Sequence, residues 1–289
     1  MTTRRYRDLL EARWDHDCFV CIGLDPDWSR IPPLVKARAE AQHGATRSAR
    51  ARATVDFCSA IAAATFDYAC AFKPNAAFFE AIGDEGHWAL GEVIARLHDL
   101  APDVPVIYDA KRGDIGSTNL GYVEDAFDRL GADAITLHPY LGEEALKPFL
   151  ERADRGIIVL CRTSNPGGGE FQDLRVDGRP LYQAVAERVA RHWNGRGNCS
   201  LVVGATYPEE LADVRRIAPD MPILIPGIGA QGGDLPRTVL AGRDRRGRGM
   251  VINSSRGIIF ASGAEDFAEA ARRETLKLHD EINRCRTGA

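Results

Sequence analysis

A chain of 289 residues in which eight short apolar runs alternate with amphipathic segments predicts an α/β fold, a (β/α)8 TIM barrel. The runs are Phe19–Leu24, Tyr68–Lys73, Val104–Asp109, Ala134–Leu137, Gly156–Cys161, Leu201–Gly204, Ile223–Pro226 and Met250–Asn253. Most are apolar throughout rather than alternating, the pattern of parallel strands covered on both faces. A doubly wound open sheet would place a G-x-G-x-x-G turn after the first strand. Gly23-Leu24-Asp25-Pro26-Asp27 is not one.

The intervening segments carry helical spacing. Leu90, Val93, Ile94 and Leu97 follow i, i+3, i+4, i+7, as do Val123, Ala126, Phe127 and Leu130, and Leu181, Val185 and Val189 form a stripe at steps of four. Two connections look inserted: Arg30–Arg52, rich in Arg and Ala, and Arg162–Gly178, rich in Gly and polar residues. The first reads as a solvated helix or loop rather than a basic arm. The second follows the fifth strand, where a long loop can act as a lid. No linker or repeat divides the chain, so one barrel domain over residues 1–289 is expected.

The bulk numbers exclude several classes. Hydrophobic content of 45% suits a globular core, and a net charge of −4 gives no electrostatic reason for a nucleic-acid or membrane partner. The N-terminal MTTRRYRDLLEARWDHD lacks an apolar signal core, and no stretch approaches the roughly 18 apolar residues of a membrane span. A cytoplasmic protein is expected. Of seven cysteines only Cys18 and Cys21 have C-x-x-C spacing, and on a strand they face opposite sides. They read as core thiols, and no metal site is expected.

In a barrel the chemistry sits at the C-terminal strand ends. Read in order, those ends give Asp25, Lys73, the segment Asp109–Asp114, His138 and Ser164, then the last two loops. Charges directly after apolar strands are costly unless paired. Asp109 and Lys111, two apart, face one side of a continuing strand, and Lys73 can approach from the neighbouring one. At about 4 Å and an effective dielectric near 20, each pair gains roughly 4 kcal/mol before desolvation. Such a Lys–Asp–Lys row keeps Lys111 protonated and able to deliver its proton to a developing carbanion.

The stretch Pro226–Gly233 (PGIGAQGG) follows the seventh strand, and Arg256 follows the eighth. Barrels commonly hold phosphate at this place. Gln231 can donate an amide hydrogen bond and Arg256 can fork onto two phosphate oxygens. Thr163 and Ser164 place hydroxyls at the rim, while His138, before Pro139, reads as structural.

The segments FKPN (Phe72–Asn75), DAKRGDIGST (Asp109–Thr118), PGIGAQGG and INSSRGI (Ile252–Ile258) resemble the orotidine 5′-phosphate decarboxylase family, especially its longer-chain bacterial members. The likeness runs from about Val20 to Ala261. It implies decarboxylation of orotidine 5′-monophosphate to UMP in pyrimidine biosynthesis, without metal or organic cofactor. Carried over by position, Lys111 protonates C6, Asp109 sits against the substrate carboxylate, and Lys73 bridges the charged row and the ribose. Asp25 binds a ribose hydroxyl, Ser164 the pyrimidine edge, and Gln231 and Arg256 the phosphate. Asp114, with Thr118 nearby, reaches into a neighbouring subunit's site, which implies a homodimer with shared active sites. Where many relatives read DIPNT, this chain reads Asp114-Ile115-Gly116-Ser117-Thr118, with the spacing to Asp114 kept. Magnesium-dependent sugar-phosphate enzymes share D-x-K-x-x-D but carry Glu at the second strand end; Lys73 argues against them. A non-catalytic phosphate-binding barrel would explain the last two loops but not the charged row.

Overall fold

Eight parallel strands wrap into a barrel in the computed structural model, which describes residues 4–228 and 234–288. They are β1 (Val20–Leu24), β2 (Ala69–Pro74), β3 (Ile107–Arg112), β4 (Ala134–Leu137), β5 (Gly156–Arg162), β6 (Cys199–Val203), β7 (Ile223–Pro226) and β8 (Met250–Ser254). The spatial order is β2-β1-β8-β7-β6-β5-β4-β3. The bridges Phe72↔Val106 and Asn75↔Asp109 join its two ends. Closure leaves no long sheet edge, and the continuous apolar runs are buried on both faces as their composition demands.

The third strand begins later than its sequence suggests. Pro105 has no N–H to give a ladder, so regular pairing starts at Ile107 and continues to Arg112. That extension carries Lys111 within the strand rather than just beyond it.

The N-terminal end of the barrel is plugged. The helix Tyr6–Asp15 lies there, with the Trp14 indole N–H donating to the Met250 carbonyl at 2.9 Å. The buried Arg13 guanidinium donates to the carbonyls of Ala69, Phe66 and Asp67. The opposite end is left as the mouth. One hydrophobic core extends from Tyr6 to Ile282.

Residues 30–52 form a helical, mostly exposed segment as expected, with a narrow buried stripe. They form the helix Pro33–His43 and the first turns of Arg47–Thr65, with Ile31, Val35, Ala39, Ala49 and Ala51 buried. Thr46 caps the second helix, accepting from the Ala49 N–H at 3.2 Å. Four of the six cations in residues 30–52 lie on aromatic rings: Arg30 over Phe260, Arg52 over Trp88, and Lys36 and Arg50 both against Trp28. Most of the positive charge therefore packs locally instead of forming a basic arm.

The stripe at Leu181, Val185 and Val189 is offset from the true buried face, which is Tyr182, Ala186, Val189 and Trp193. The helix Leu181–Arg188 widens into a π turn over Val189–Trp193, and the ring-bearing residues reach the core. Six cysteines are buried and Cys285 partly so; all are free thiols. Burial pushes Cys21 up to about 12, which suits a packing residue and not a redox one.

Candidate active site

The exit of β3 is where the local fold makes the site. Tyr108 pairs with Ile135 and Arg112 with Leu137, so four steps along β3 match two along β4. The extra residues form a bulge, and Lys111 sits at φ +49, in the left-handed region. A non-glycine residue there is strained by roughly 1–3 kcal/mol and is held by its surroundings. Here the Lys111 N–H donates to Thr136 Oγ1 at 3.0 Å, and its ammonium lies 2.6 Å from Asp109 Oδ1.

Asp109 is the hub. Its Oδ2 accepts from Lys73 Nζ at 2.7 Å, and its Oδ1 accepts from Lys111 Nζ and from Thr136 Oγ1 at 2.9 Å. Lys73 is 4% exposed and Asp109 8%, whereas half of the Lys111 side chain is open to solvent. Burial alone pushes the Asp109 carboxyl up, but Lys73 and Lys111 outweigh it and hold it far below the usual carboxylate range. For Lys73, burial pulls the ammonium toward neutrality. Asp109 and Asp25 overcome that pull and hold its pKa above the ordinary lysine value. Asp109 and Lys73 are therefore both charged at neutral pH.

This row forms one wall of a cavity of about 540 Å³, which also presents Thr136, Ser164 and Gln172. Ser164 is fixed by close approach: a Cβ on Gly204 would stand 2.8 Å from the Ser164 Cα. The inserted β5 loop supplies a wall of the cavity. It contains the turns Pro166–Gly168 and Gly169–Gln172 and a short antiparallel ladder between Arg175–Val176 and Arg179–Pro180. Gln172 Oε1 accepts from the Thr163 N–H at 2.9 Å. Buried Arg162 reaches Gln172 at 3.2 Å and Asp173 at 3.3 Å, with its guanidinium 3.9 Å over the Tyr207 ring. The loop is thereby tied to the barrel rim.

Of the other expected site residues among those described, only Ser164 lines this cavity. Asp25 stands at the end of β1, with one buried carboxylate oxygen unpaired among the described residues. Arg256 begins the short helix Arg256–Ile259, is exposed, and has no ion-pair partner among the described residues. Gln231 lies outside the described residues. Asp114 and Thr118 do not line the cavity; Asp114 occupies the β3 exit turn, donating its N–H to Asn119 Oδ1, and Thr118 is exposed on the helix Gly116–Val123. His138 is structural, with its Nε2 against the Gly113 carbonyl at 3.1 Å. Sequence reasoning missed Thr136, Phe171 and Gln172, all of which line the cavity. Thr136 could have been found as the one hydroxyl in the apolar AITL strand; the loop residues carry no comparable signal.

A family model described as "Orotidine 5'-phosphate decarboxylase / HUMPS family" matches residues 19–273. The chain belongs to that family. It is 52% identical over 265 residues to an orotidine 5′-phosphate decarboxylase of Janthinobacterium sp. (strain Marseille), spanning 92% of this chain and 93% of the relative. An enzyme of the same name from Ralstonia pickettii (strain 12J) is 50% identical over 283 residues, spanning 98% and 99%. Among solved structures, the Leishmania donovani OMP decarboxylase superposes with a TM-score of 0.82 at 41% identity, covering 99% of this chain and all of that one. The neighbours share the barrel fold.

Proposed function

We infer that this chain is a carboxy-lyase that converts orotidine 5′-monophosphate to UMP, with Lys111 as the proton donor. The observation that carries the reading is the Lys73–Asp109–Lys111 row at the wall of the cavity. Family membership and relatives of one name over nearly the whole chain support it. The family description also names a second activity. Both Asp109 oxygens are engaged by ammonium groups, and Lys73 stands at the strand end where the metal-using relatives carry Glu, which favours decarboxylation.

In this mechanism the substrate carboxylate lies beside Asp109. The C6–carboxyl bond breaks, its electron pair stays on C6, and carbon dioxide leaves. The Lys111 ammonium, half exposed toward the cavity, gives its proton to C6. A fixed ammonium at the site of developing negative charge needs no reorganisation, the usual source of the largest catalytic contribution. Ser164 reads the pyrimidine edge, Asp25 and Lys73 a ribose hydroxyl, and Arg256 with Gln231 the phosphate. Phosphate binding far from C6 supplies energy to organise the charged row.

The same reading gives Asp114 and Thr118 to a second copy of the chain. Both stand off their own cavity, on a face where Ile115 is 61% and Tyr140 90% exposed, with Leu120 and Leu141 also open. An apolar surface of this kind is what a homodimer interface would cover. No described helix is long and apolar enough to cross a membrane. We propose a cytoplasmic enzyme forming one barrel domain, with 30–52 and 162–178 as elaborated connections. The test is UMP formation from orotidine 5′-monophosphate in chelator-treated buffer. Unimpaired turnover supports the reading; complete loss restored by magnesium refutes it.

A further inference from the structure

Three buried oxygens at the barrel mouth have no hydrogen-bond partner among the described residues: Asp25 Oδ1, Asn253 Oδ1 and Ser255 Oγ. They gather at one seam. In register, Asn253 on β8 pairs with Cys21 of β1 on one side and Pro226 of β7 on the other. Side chains of in-register residues share a face of a parallel sheet, and Pro226 lines the cavity. The Asn253 side chain therefore points into the barrel, next to the cavity wall. Gly23 is paired with Lys73 and sits one inward-facing step above Cys21. A Cβ on Gly23 would stand 3.1 Å from Asn253 Oδ1, 3.2 Å from Ser255 Oγ and 2.7 Å from Ser255 Cβ. The missing side chain is what lets Asn253 and Ser255 close in on this point. Asp25 lies two residues on, just past the end of β1, close enough for its charge to act on Lys73 and Cys21.

Asn253 is 8% exposed, and its carboxamide makes no hydrogen bond among the described residues. Leaving a buried amide oxygen unpaired costs about 1–3 kcal/mol, and three such oxygens gathered beside a cavity mark a place where something else binds. Its chemistry selects the occupant. The Asp25 carboxylate only accepts, while the Asn253 amide both donates and accepts and the Ser255 hydroxyl does likewise. A carboxylate repels phosphate, but carboxylate and amide together complement a hydroxyl, which gives its proton to one and takes a hydrogen bond from the other.

We propose that Asn253, assisted by Ser255 and given room by Gly23, is a substrate-specificity residue that hydrogen-bonds the ribose diol of the nucleotide opposite Asp25. The inference rests on the proposed function and extends its ribose subsite to β8.

The experiment compares UMP with 2′,3′-dideoxyuridine 5′-monophosphate, binding each to the wild-type chain and to Asn253→Ala by calorimetry. The expected result is about tenfold weaker UMP binding by Asn253→Ala, the scale of one hydrogen bond (about 1.4 kcal/mol), with dideoxynucleotide binding changed less than about twofold. KM for orotidine 5′-monophosphate should rise as UMP affinity falls, while kcat moves less. Equal weakening of both nucleotides, or no weakening of either, overturns the inference. Ser255→Ala is the second variant, removing one hydroxyl at the rim, and should show the same selectivity on a smaller scale; its failure to discriminate removes Ser255 from the proposal. Wild-type protein that discriminates between the nucleotides but does not turn over orotidine 5′-monophosphate overturns the decarboxylase reading and leaves the diol contact standing. Wild-type protein that binds neither overturns both.

Discussion

Asp109→Asn tests the central electrostatic claim because it keeps the shape of the side chain and removes only its charge. Lys73 is then a buried cation facing a neutral amide, with Asp25 as its remaining anion. Breaking a buried pair by removing one partner costs about 3–5 kcal/mol. The presence of Asp25 places the expected loss near the lower end, about 3 kcal/mol, which on the scale of about 2–4 °C per kcal/mol is a melting-temperature drop of roughly 6–12 °C. The pH dependence has a defined sign. The depressed Asp109 pKa stabilises the wild type above the unfolded carboxylate value of about 3.9, and that share is lost as pH falls through the lower folded value. The raised Lys73 pKa stabilises it below about 10.4, and that share is lost as pH rises through the higher folded value. The gap between wild type and variant is therefore widest between about pH 5 and 9 and narrows toward either extreme. Urea unfolding across that range measures it. The double variant Lys73→Met/Asp109→Asn, which removes both charges, should recover about 2 kcal/mol relative to the single change. A single variant within about 1 kcal/mol of wild type at pH 7, or a double variant no more stable than the single, would refute the argument.

Lys111→Ala should retain UMP affinity and lose turnover by several orders of magnitude; near-normal turnover in a steady-state assay would remove Lys111 as proton donor. Mixing Asp114→Ala chains with Lys111→Ala chains should regenerate native sites in heterodimers, and no recovery with heterodimers shown by mass spectrometry would count against shared sites. Gly204→Ala forces a Cβ against the Ser164 backbone, so KM should rise about tenfold or more, the scale of a lost base contact; an unchanged KM would show that Ser164 does not read the base.

The charged row was legible because charges at the ends of apolar strands are expensive and so must meet partners, an argument that needs no coordinates. The meeting was anticipated, but its geometry was not. Sequence spacing places Asp109 and Lys111 on one side of a regular strand, whereas the chain bulges between Tyr108 and Arg112 and turns Lys111 into the left-handed region. A lysine is long enough to return to the same carboxylate from there, so a periodicity argument led to the right pair through the wrong backbone. Thr136 has one sequence signal, as the one hydroxyl in the AITL strand, and β-propensity explains a threonine there equally well. Its hydroxyl matters because the bulge leaves the Lys111 N–H in need of an acceptor. Gln172 and Phe171 belong to a loop whose path is set by Arg162 and its contacts, and nothing local in the sequence fixes that path.

Asn253 shows the converse. Met-Val-Ile-Asn at the eighth strand reads as an apolar run ending in a polar residue, and its partners are assigned only by register with β1 and β7. The decisive feature is an absence, the missing Cβ of Gly23, which acquires meaning once the opposite wall is known. The barrel therefore divides its information in a physical way. Groups whose burial is costly announce themselves in sequence, because their partners must also be charged. Groups whose role is to meet a ligand stay silent until the fold shows that no protein atom satisfies them.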